Sequence, residues 1–184
     1  KNVISFKNNI RHVAISSFII KDLEKYGVRY KFLPIPGVKF DDLDTEILGD
    51  EIYVYISNKR FNFYGGHLLK DIQKNISFKL NICDGCNKYT REDLLKVYKK
   101  SFIGLRLTEH DGIANQVIEL GLMGRKCVHN GNHPNAIPWR NINDIISSIS
   151  TESKKIGKQD IEVSQNIKKY LDIGERWLDT SFWD

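Results

Sequence analysis

The alternation of short apolar segments with amphipathic ones from residue 52 onward restricts the fold more than any other feature of the chain. Ile52-Tyr-Val-Tyr-Ile56 is an almost continuous β-branched and aromatic run, which is typical of a parallel strand buried on both faces. Strands are predicted at 52 to 56, 77 to 82, 101 to 105 and 126 to 129, and helices at about 64 to 75, 91 to 99, 113 to 123 and 141 to 150. This α/β order predicts a Rossmann-like open parallel sheet with helices on both faces.

Different patterns flank this region. A short β-run begins at His12, and an amphipathic helix at about 18 to 26 is stopped by Gly27. Residues 37 to 50 follow a proline-containing segment and become strongly acidic, which predicts a linker before a domain at 51 to 157. Residues 158 to 184 are predicted to form one or two terminal helices that pack back across the linker. The chain begins at Lys1, so we expect it to be excised from a longer protein.

Basic residues outnumber acidic ones, 28 to 23, and the excess lies in the first hundred residues. Such a field could attract nucleic acid, a membrane surface or a phosphorylated small molecule, and charge alone does not choose among them. No segment approaches the ~18 apolar residues of a membrane-spanning helix. The three cysteines are an odd number in a chain too large to need disulfides. We therefore expect a cytoplasmic protein, with contact to a membrane surface left open.

A C-x-x-C motif, Cys83 to Cys86, raises the question of a metal site, because His129 and His133 could complete a set of zinc ligands. A single C-x-x-C at the end of a strand is a weak signal, and the two histidines flank Gly131 in a loop rather than lying on a helix. The pattern favours thiols without a function in a strand-to-helix loop, so we expect no metal and no cofactor.

The carboxyl ends of the predicted strands are where an open α/β sheet binds ligands. The loop after the third strand is the most informative, because Asp111 and Gly112 end it just before a helix whose first N–H groups could bind an anion such as a diphosphate. Asn115 and Glu119 are one turn apart on one face of that helix. Glu119 could accept hydrogen bonds from vicinal hydroxyls, as a ribose supplies, or be a solvated helical carboxylate.

An acidic residue followed by Gly, then by Glu eight positions on and by Leu-Gly-Leu-Met-Gly-Arg-Lys-Cys-Val, resembles the donor-site signature of GT-B-fold glycosyltransferases, especially family 4-like enzymes. Here the first acid is Asp111 rather than Glu. The resemblance implies that Glu119 binds the nucleotide ribose and that Asp111 with Gly112 lies near the transferred sugar. It also implies that residues 1 to 36 are the remnant of a preceding N-terminal domain, that 51 to 157 is the donor-binding domain, and that the terminal helices are its crossover.

Further candidate residues for the donor follow from the same placement. Lys59 and Arg60 could neutralise the diphosphate, and Tyr64 with Gly65 opens a helix where a phosphate can approach the backbone. Arg106 is either a phosphate clamp or the partner of Glu109 in a salt bridge. The candidate donor site also includes residues at the start of the predicted helix at 113 to 123 and in the loop before it: His110, Gly112, Ile113, Ala114 and Asn115. In the loop after the second predicted strand, Asp84 and Tyr89 could contact the base.

The predicted function is that of the donor-binding part of a glycosyltransferase that uses a UDP or GDP sugar and is incomplete without its upstream domain. Catalysis would be electrostatic and independent of metal, and the resemblance implies retention of anomeric configuration. The acceptor, whether glycan, lipid or protein, and a homodimer are left open. Two alternatives remain. The first is a nucleotide- or nucleic-acid-binding module without transfer activity, although the sequence has no stacking motif and no basic recognition helix. The second is a sugar-nucleotide epimerase of the same fold.

Overall fold

In the computed structural model of the chain, the residues described are 12 to 15, 17 to 32, 43 to 87, 89 to 109, 111 to 112 and 114 to 172. The first of these segments form a small unit of β1 (His12–Ala14), α1 (Ser17–Lys25) and β2 (Tyr30–Phe32). β1 and β2 pair in parallel and make a two-stranded sheet of their own. The predicted first strand and helix are confirmed, while β2 was not predicted because three residues carry too little pattern.

Five parallel strands form the main sheet in the order β4-β3-β5-β6-β7. They are β3 (Glu51–Ile56), β4 (Leu80–Asp84), β5 (Ser101–Leu105), β6 (Lys126–Val128) and β7 (Ala136–Ile137). Four of the five lie where the sequence predicts strands, although β4 begins three residues later than predicted. β7 was not predicted, because it has only two residues.

Helices cover both faces of this sheet, as predicted. The connecting helices are α2 (Leu69–Asn75), α3 (Arg91–Lys100), α4 (Asn115–Leu122), α5 (Ile142–Ser153) and α6 (Ile161–Leu171). Side chains alternate across β3, so Ile52 and Val54 pack with α2 and α5, whereas Tyr53 packs with α3, α4 and α6 on the other face. The Rossmann-like α/β fold is therefore confirmed. None of the described helices is long and apolar enough to cross a membrane.

Local signals account for where several elements begin. The Thr90 side chain accepts a hydrogen bond from the Asp93 backbone N–H at 3.1 Å and so caps the start of α3. The predicted helix at 64 to 75 begins later, since two short 3-10 turns (Asn58–Arg60 and Gly66–Leu68) precede α2. α6 confirms the first of the predicted terminal helices, and residues 173 to 184 lie outside the described part of the chain.

Arg125 fixes the acidic segment before β3 to the amino-terminal edge of the sheet. Its guanidinium is fully buried, and its partners among the described residues are backbone carbonyls, those of Glu46, Ile47, Tyr98, Lys99, Ser101 and Met123. The segment makes further backbone hydrogen bonds, including Leu48 N–H to the Lys158 carbonyl at 2.9 Å. Residues 43 to 50 therefore pack on the sheet unit.

Candidate functional site

The order of the strands places a crevice at the carboxyl ends of β3 and β5. From β3 the chain crosses to β4 on one side, and from β4 it crosses to β5 on the other side of β3. At such a reversal the loops that follow the two neighbouring strands leave toward opposite faces of the sheet, and open α/β sheets bind ligands in the crevice between them. The two loops that line this crevice are 57 to 68 and 106 to 114, and both contain candidate residues from the sequence.

Arg106 is the best-fixed charged side chain of this crevice. Its guanidinium lies over the rings of Tyr55 and Tyr64, 4.4 and 5.3 Å from their centroids. Its Nε donates to Oδ2 of Asp111 at 2.5 Å, and its Nη1 donates to the Gln116 amide oxygen at 3.1 Å. Burial works against the charged form, but the Asp111 carboxylate outweighs it and raises the pKa of Arg106. The cation is therefore permanent and held in one orientation.

Asp111 is held as firmly as its partner. Its second carboxylate oxygen, Oδ1, accepts the backbone N–H of Gly112 at 2.8 Å. One of the two interpretations of Arg106 was a salt bridge to Glu109. That partner is wrong, because Arg106 forms its salt bridge with Asp111. Asp111, the first of the two acidic residues in the predicted donor-site signature, therefore fixes the backbone just before α4.

A cavity of about 200 Å³ lies beside Arg106 and is called here the tyrosine cavity. Its lining combines rings from β3 and from the loop after β4 with polar side chains, namely Tyr53, Tyr55, Cys83, Asp84, Gly85, Asn87, Tyr89, Leu94 and Gln116. It is smaller than the roughly 300 to 1,000 Å³ of pockets that hold whole small ligands. Its size therefore suits one part of a ligand, such as a planar base.

Asp84 joins the loops after β3 and β4 at the wall of this cavity. Its carboxylate accepts the backbone N–H groups of Cys86 and Asn58, at 2.9 and 3.1 Å, and also the Asn58 side-chain amide. These hydrogen bonds, with that of Cys86 the largest, lower the pKa of Asp84. The side chain is thus occupied within the protein, and its predicted contact with a base, like that of Tyr89, stays a prediction.

Glu119 is buried, so its interpretation as a solvated helical carboxylate is wrong. Its side chain is 8% exposed, Oε1 accepts from Arg91 Nη1 at 2.6 Å, and Oε2 accepts from the Tyr98 hydroxyl at 3.1 Å. Burial, together with the nearby Tyr53 and Glu119, raises the pKa of Tyr98, so the phenol keeps its proton and donates it to Glu119. Each carboxylate oxygen has one further lone pair that can accept a hydrogen bond.

Three residues around these carboxylates were not identified from the sequence: Arg91, Tyr98 and Gln116. One feature of the sequence could have identified Arg91: it stands in the first turn of α3, where the helix dipole disfavours a cation. A nearby carboxylate offsets that cost, and Glu119 supplies it. Nothing in the local pattern marked Tyr98 or Gln116, whose partners are distant in sequence or across a loop.

The loop after β3 is shaped by packing rather than by an open backbone. Gly65 has a left-handed φ of +70°, and a Cβ on it would lie 2.5 Å from the Leu107 Cβ, so no other residue fits. Lys59 and Arg60 are exposed, and the Arg60 guanidinium lies 3.9 Å from the centroid of the Phe63 ring. Contact of this loop with a phosphate stays a prediction.

Two buried histidines support the start of α4. The rings of His129 and His133 stack with centroids 5.6 Å apart. His129 Nδ1 donates to the Arg106 carbonyl oxygen at 3.3 Å, and His133 Nε2 accepts the Ala114 N–H at 3.5 Å. Burial lowers the pKa of both, to about 4 for His133, so both rings are neutral near pH 7.

The remaining sequence candidates are placed as follows. Asn115 begins α4 and is half-buried, while His110 and Ile113 lie outside the described residues. Among the described residues, no group of three or more His, Cys, Asp or Glu side chains could hold a metal ion. Cys83 is buried in the wall of the tyrosine cavity, and Cys86 Sγ lies 3.4 Å from the Ser57 hydroxyl.

The comparison with known proteins rests on structure alone, since no family model and no curated protein matches the chain. The solved structure of TarM superposes with a TM-score of 0.64 at 16% identity, over 96% of this chain and 44% of TarM. TarM is a GT-B glycosyltransferase. The chain has the Rossmann-like fold of a GT-B half.

A second solved structure agrees. It is a glycine-to-arginine mutant of S. aureus TarM in complex with fondaparinux, alpha-GlcNAc-glycerol and UDP, with a TM-score of 0.61 and 15% identity, over 93% of this chain and 42% of that one. The chain thus spans less than half the length of either TarM chain. At this identity the likeness shows the GT-B half fold and leaves family membership untested.

Proposed function

We propose that the chain is the donor-binding part of a glycosyltransferase that takes a nucleoside-diphosphate sugar. The observation that carries this proposal is Arg106, a permanent cation that lies over the rings of Tyr55 and Tyr64 at the reversal of the strand order, beside the tyrosine cavity. A fixed cation next to an aromatic-lined cavity of this size suits a phosphorylated nucleoside. UDP is the first nucleotide to test, because a TarM complex contains it.

Each part of the donor then has a place. The base enters the tyrosine cavity, where Tyr89 and Asp84 stand at the wall. The ribose hydroxyls donate to Glu119, whose exposed side is covered by Arg91. Arg91 is 36% exposed in its side chain, so a nucleotide bound at Glu119 would also meet this guanidinium.

The diphosphate lies near Arg106 and the loop of Gly112 to Asn115 that begins α4. The start of that helix offers a positive dipole end, and the exposed Lys59 and Arg60 add positive charge from the loop after β3. As the bond from the sugar carbon to the diphosphate breaks, these groups stabilise the negative charge that develops on the leaving group. We propose that no metal ion is required and that the configuration of the sugar is retained, as in family 4-like enzymes.

Asp111 faces the transferred sugar through a loop that its own contacts make rigid. Because Arg106 and the Gly112 N–H occupy one site on each of its oxygens, it contributes position and charge rather than a mobile proton. An upstream domain supplies a share of the catalytic groups and the rest of the acceptor site, and this chain alone transfers little sugar. A homodimer and contact with a membrane surface belong to the same proposal.

Calorimetry of the chain with UDP, GDP and ADP tests the proposal, with a short DNA duplex as the control ligand. We expect one nucleoside diphosphate to bind with one site per chain and the duplex to give no saturable heat. A duplex that binds while all three nucleotides fail would contradict it and would favour the nucleic-acid-binding alternative. An assay that separates sugar transfer from donor hydrolysis, on this chain and on a longer one with an upstream domain, then tests completeness.

A further inference from the structure

A second cavity, of about 400 Å³, opens on the other side of the loop that follows β5. It is called here the tryptophan cavity. Phe63 and Trp139 supply its rings, and Asn62, His67, Glu109 and Arg140 supply its polar groups. None of these residues lines the tyrosine cavity, so the two volumes are separate.

The loop after β5 connects the two cavities. Arg106 contacts Tyr55 and Gln116, which line the tyrosine cavity, while the next residue, Leu107, and Glu109 line the tryptophan cavity. Asp111 lies between this loop and α4. Two ligands, one in each cavity, would therefore approach the same short segment from opposite sides.

The lining selects a neutral, hydroxyl-rich ligand. Its one carboxylate, Glu109, balances its one guanidinium, Arg140, and the latter is already paired with Asp144 at 3.2 Å. A phosphate or sulfate would meet Glu109 without a free excess of positive charge, and a lipid chain would leave the amide and carboxylate groups unsatisfied. A sugar ring suits both the aromatic and the polar part of the lining, because its C–H face packs on aromatic rings while its hydroxyls donate and accept hydrogen bonds.

We propose that the tryptophan cavity binds a neutral pyranose of the acceptor. This inference rests on the proposed transferase function, because only then do the two cavities serve one reaction. Trp139 provides the ring on which the sugar packs, and Asn62 and Glu109 bind its hydroxyls. Trp139 is suited to a fixed wall, since its backbone N–H donates to the Asn130 side chain at 2.9 Å and its ring packs on the core.

Saturation-transfer NMR of the whole chain tests the proposal with a panel of methyl glycosides of glucose, galactose and N-acetylglucosamine. We expect at least one to bind, and Trp139→Leu and Asn62→Ala to weaken it about fivefold or more, the loss of one hydrogen bond or ring contact. Asn143→Ala, an exposed amide outside both cavities, is the matched control. If Trp139→Leu does not fold, Asn62→Ala carries the test, since Asn62 is exposed.

The result that overturns the proposal is a folded chain that binds no glycoside of the panel, or binds one with equal affinity in the Asn62→Ala variant. Adding UDP should leave glycoside binding unchanged. Displacement by UDP-N-acetylglucosamine but not by UDP would show that the cavity takes the donor sugar, which overturns the acceptor assignment. Calorimetry with UDP on the same samples separates the two proposals: UDP binding without glycoside binding refutes this inference alone, whereas glycoside binding without UDP binding refutes the transferase function and leaves a sugar site with no acceptor role.

Discussion

Arg106 and Asp111 form an ion pair in which Nε donates to Oδ2 at 2.5 Å, directly after the central strand β5. The pair joins two positions five apart in the sequence, and the Gly112 N–H donates to the other oxygen of the same carboxylate. Because both partners are buried or half-buried and Tyr55 covers the guanidinium, the side chains of Arg106 and Asp111 hold each other in place. Charged groups that are already in place are what electrostatic stabilisation of a leaving group requires.

Replacing Arg106 by Gln should weaken UDP binding about 10- to 100-fold, because a charge-assisted bond to a phosphate contributes about 1.5 to 3 kcal/mol. Uridine, which lacks phosphates, should bind the variant and the native chain almost equally. Calorimetry with both ligands makes the comparison, and Arg29→Gln, an exposed arginine, is the control. Equal losses for UDP and uridine would assign Arg106 to the loop's structure and not to the phosphates.

Replacing Glu119 by Gln should weaken UDP binding by roughly 1 to 3 kcal/mol, because the amide loses the charge that accepts from the ribose hydroxyls. The native chain should also prefer UDP over 2′-deoxy-UDP, and the variant should lose most of that preference. Glu162→Gln, an exposed carboxylate on α6, serves as control. A folded Glu119→Gln protein with native affinity for UDP would remove Glu119 from the ribose site.

Arg125→Met should lower the free energy of unfolding by about 3 to 5 kcal/mol, since several buried carbonyls would lose their donors at once. Arg140→Met removes an arginine whose side chain is 87% exposed and should cost at most about 1 kcal/mol. Urea unfolding of the two variants gives the comparison. Similar small losses in both would mean that the carbonyls around position 125 find other donors.

The His129 and His133 pair predicts a loss of stability in mild acid. The pKa of His133 is lowered to about 4 in the folded chain, against an ordinary value of about 6.5, so between these values the unfolded chain binds the extra proton. Stability therefore falls as the pH falls through this window, by about 2 kcal/mol from pH 7 to pH 5 for His133 alone. Urea unfolding at both pH values measures it. In His133→Gln the pH-dependent part should shrink, and an unchanged slope would refute the assignment.

Chelation should leave the melting temperature unchanged. Cys83, Cys86, His129 and His133 are not expected to form a zinc site, and a structural zinc would contribute folding free energy that EDTA removes. Thermal unfolding with and without EDTA checks this, together with metal analysis of the purified chain. One zinc per chain would contradict the expectation.

The fold could be predicted from the sequence because its periodicity is local. Each long strand and helix carries its own apolar pattern, and parallel strands with short connections leave few arrangements. β2 and β7 escaped prediction because strands of three and two residues have no periodicity to detect. Their pairing depends on neighbours that the local sequence does not name.

The candidate site was predictable only as a set of loops. The carboxyl ends of parallel strands share one edge, so the positions of Arg106 and Asp111 followed from the strand order. Their partners did not: Glu109 lies nearer to Arg106 in sequence, but the turn of the loop brings Asp111 to it. Likewise Glu119 meets Arg91, which is 28 positions away, and Gly65 is required by Leu107 on another strand's loop.

The buried guanidinium of Arg125 also has a consequence for domain motion. It ties Glu46 and Ile47 to the start of β6 and to the end of α3, so these parts should move as one rigid body. If the proposed enzyme opens and closes between two domains, Glu46 and Ile47 should move with the sheet unit and not act as the hinge. A shortened chain that began at Asp50 would cut through this body, whereas one that began at Leu43 would preserve it.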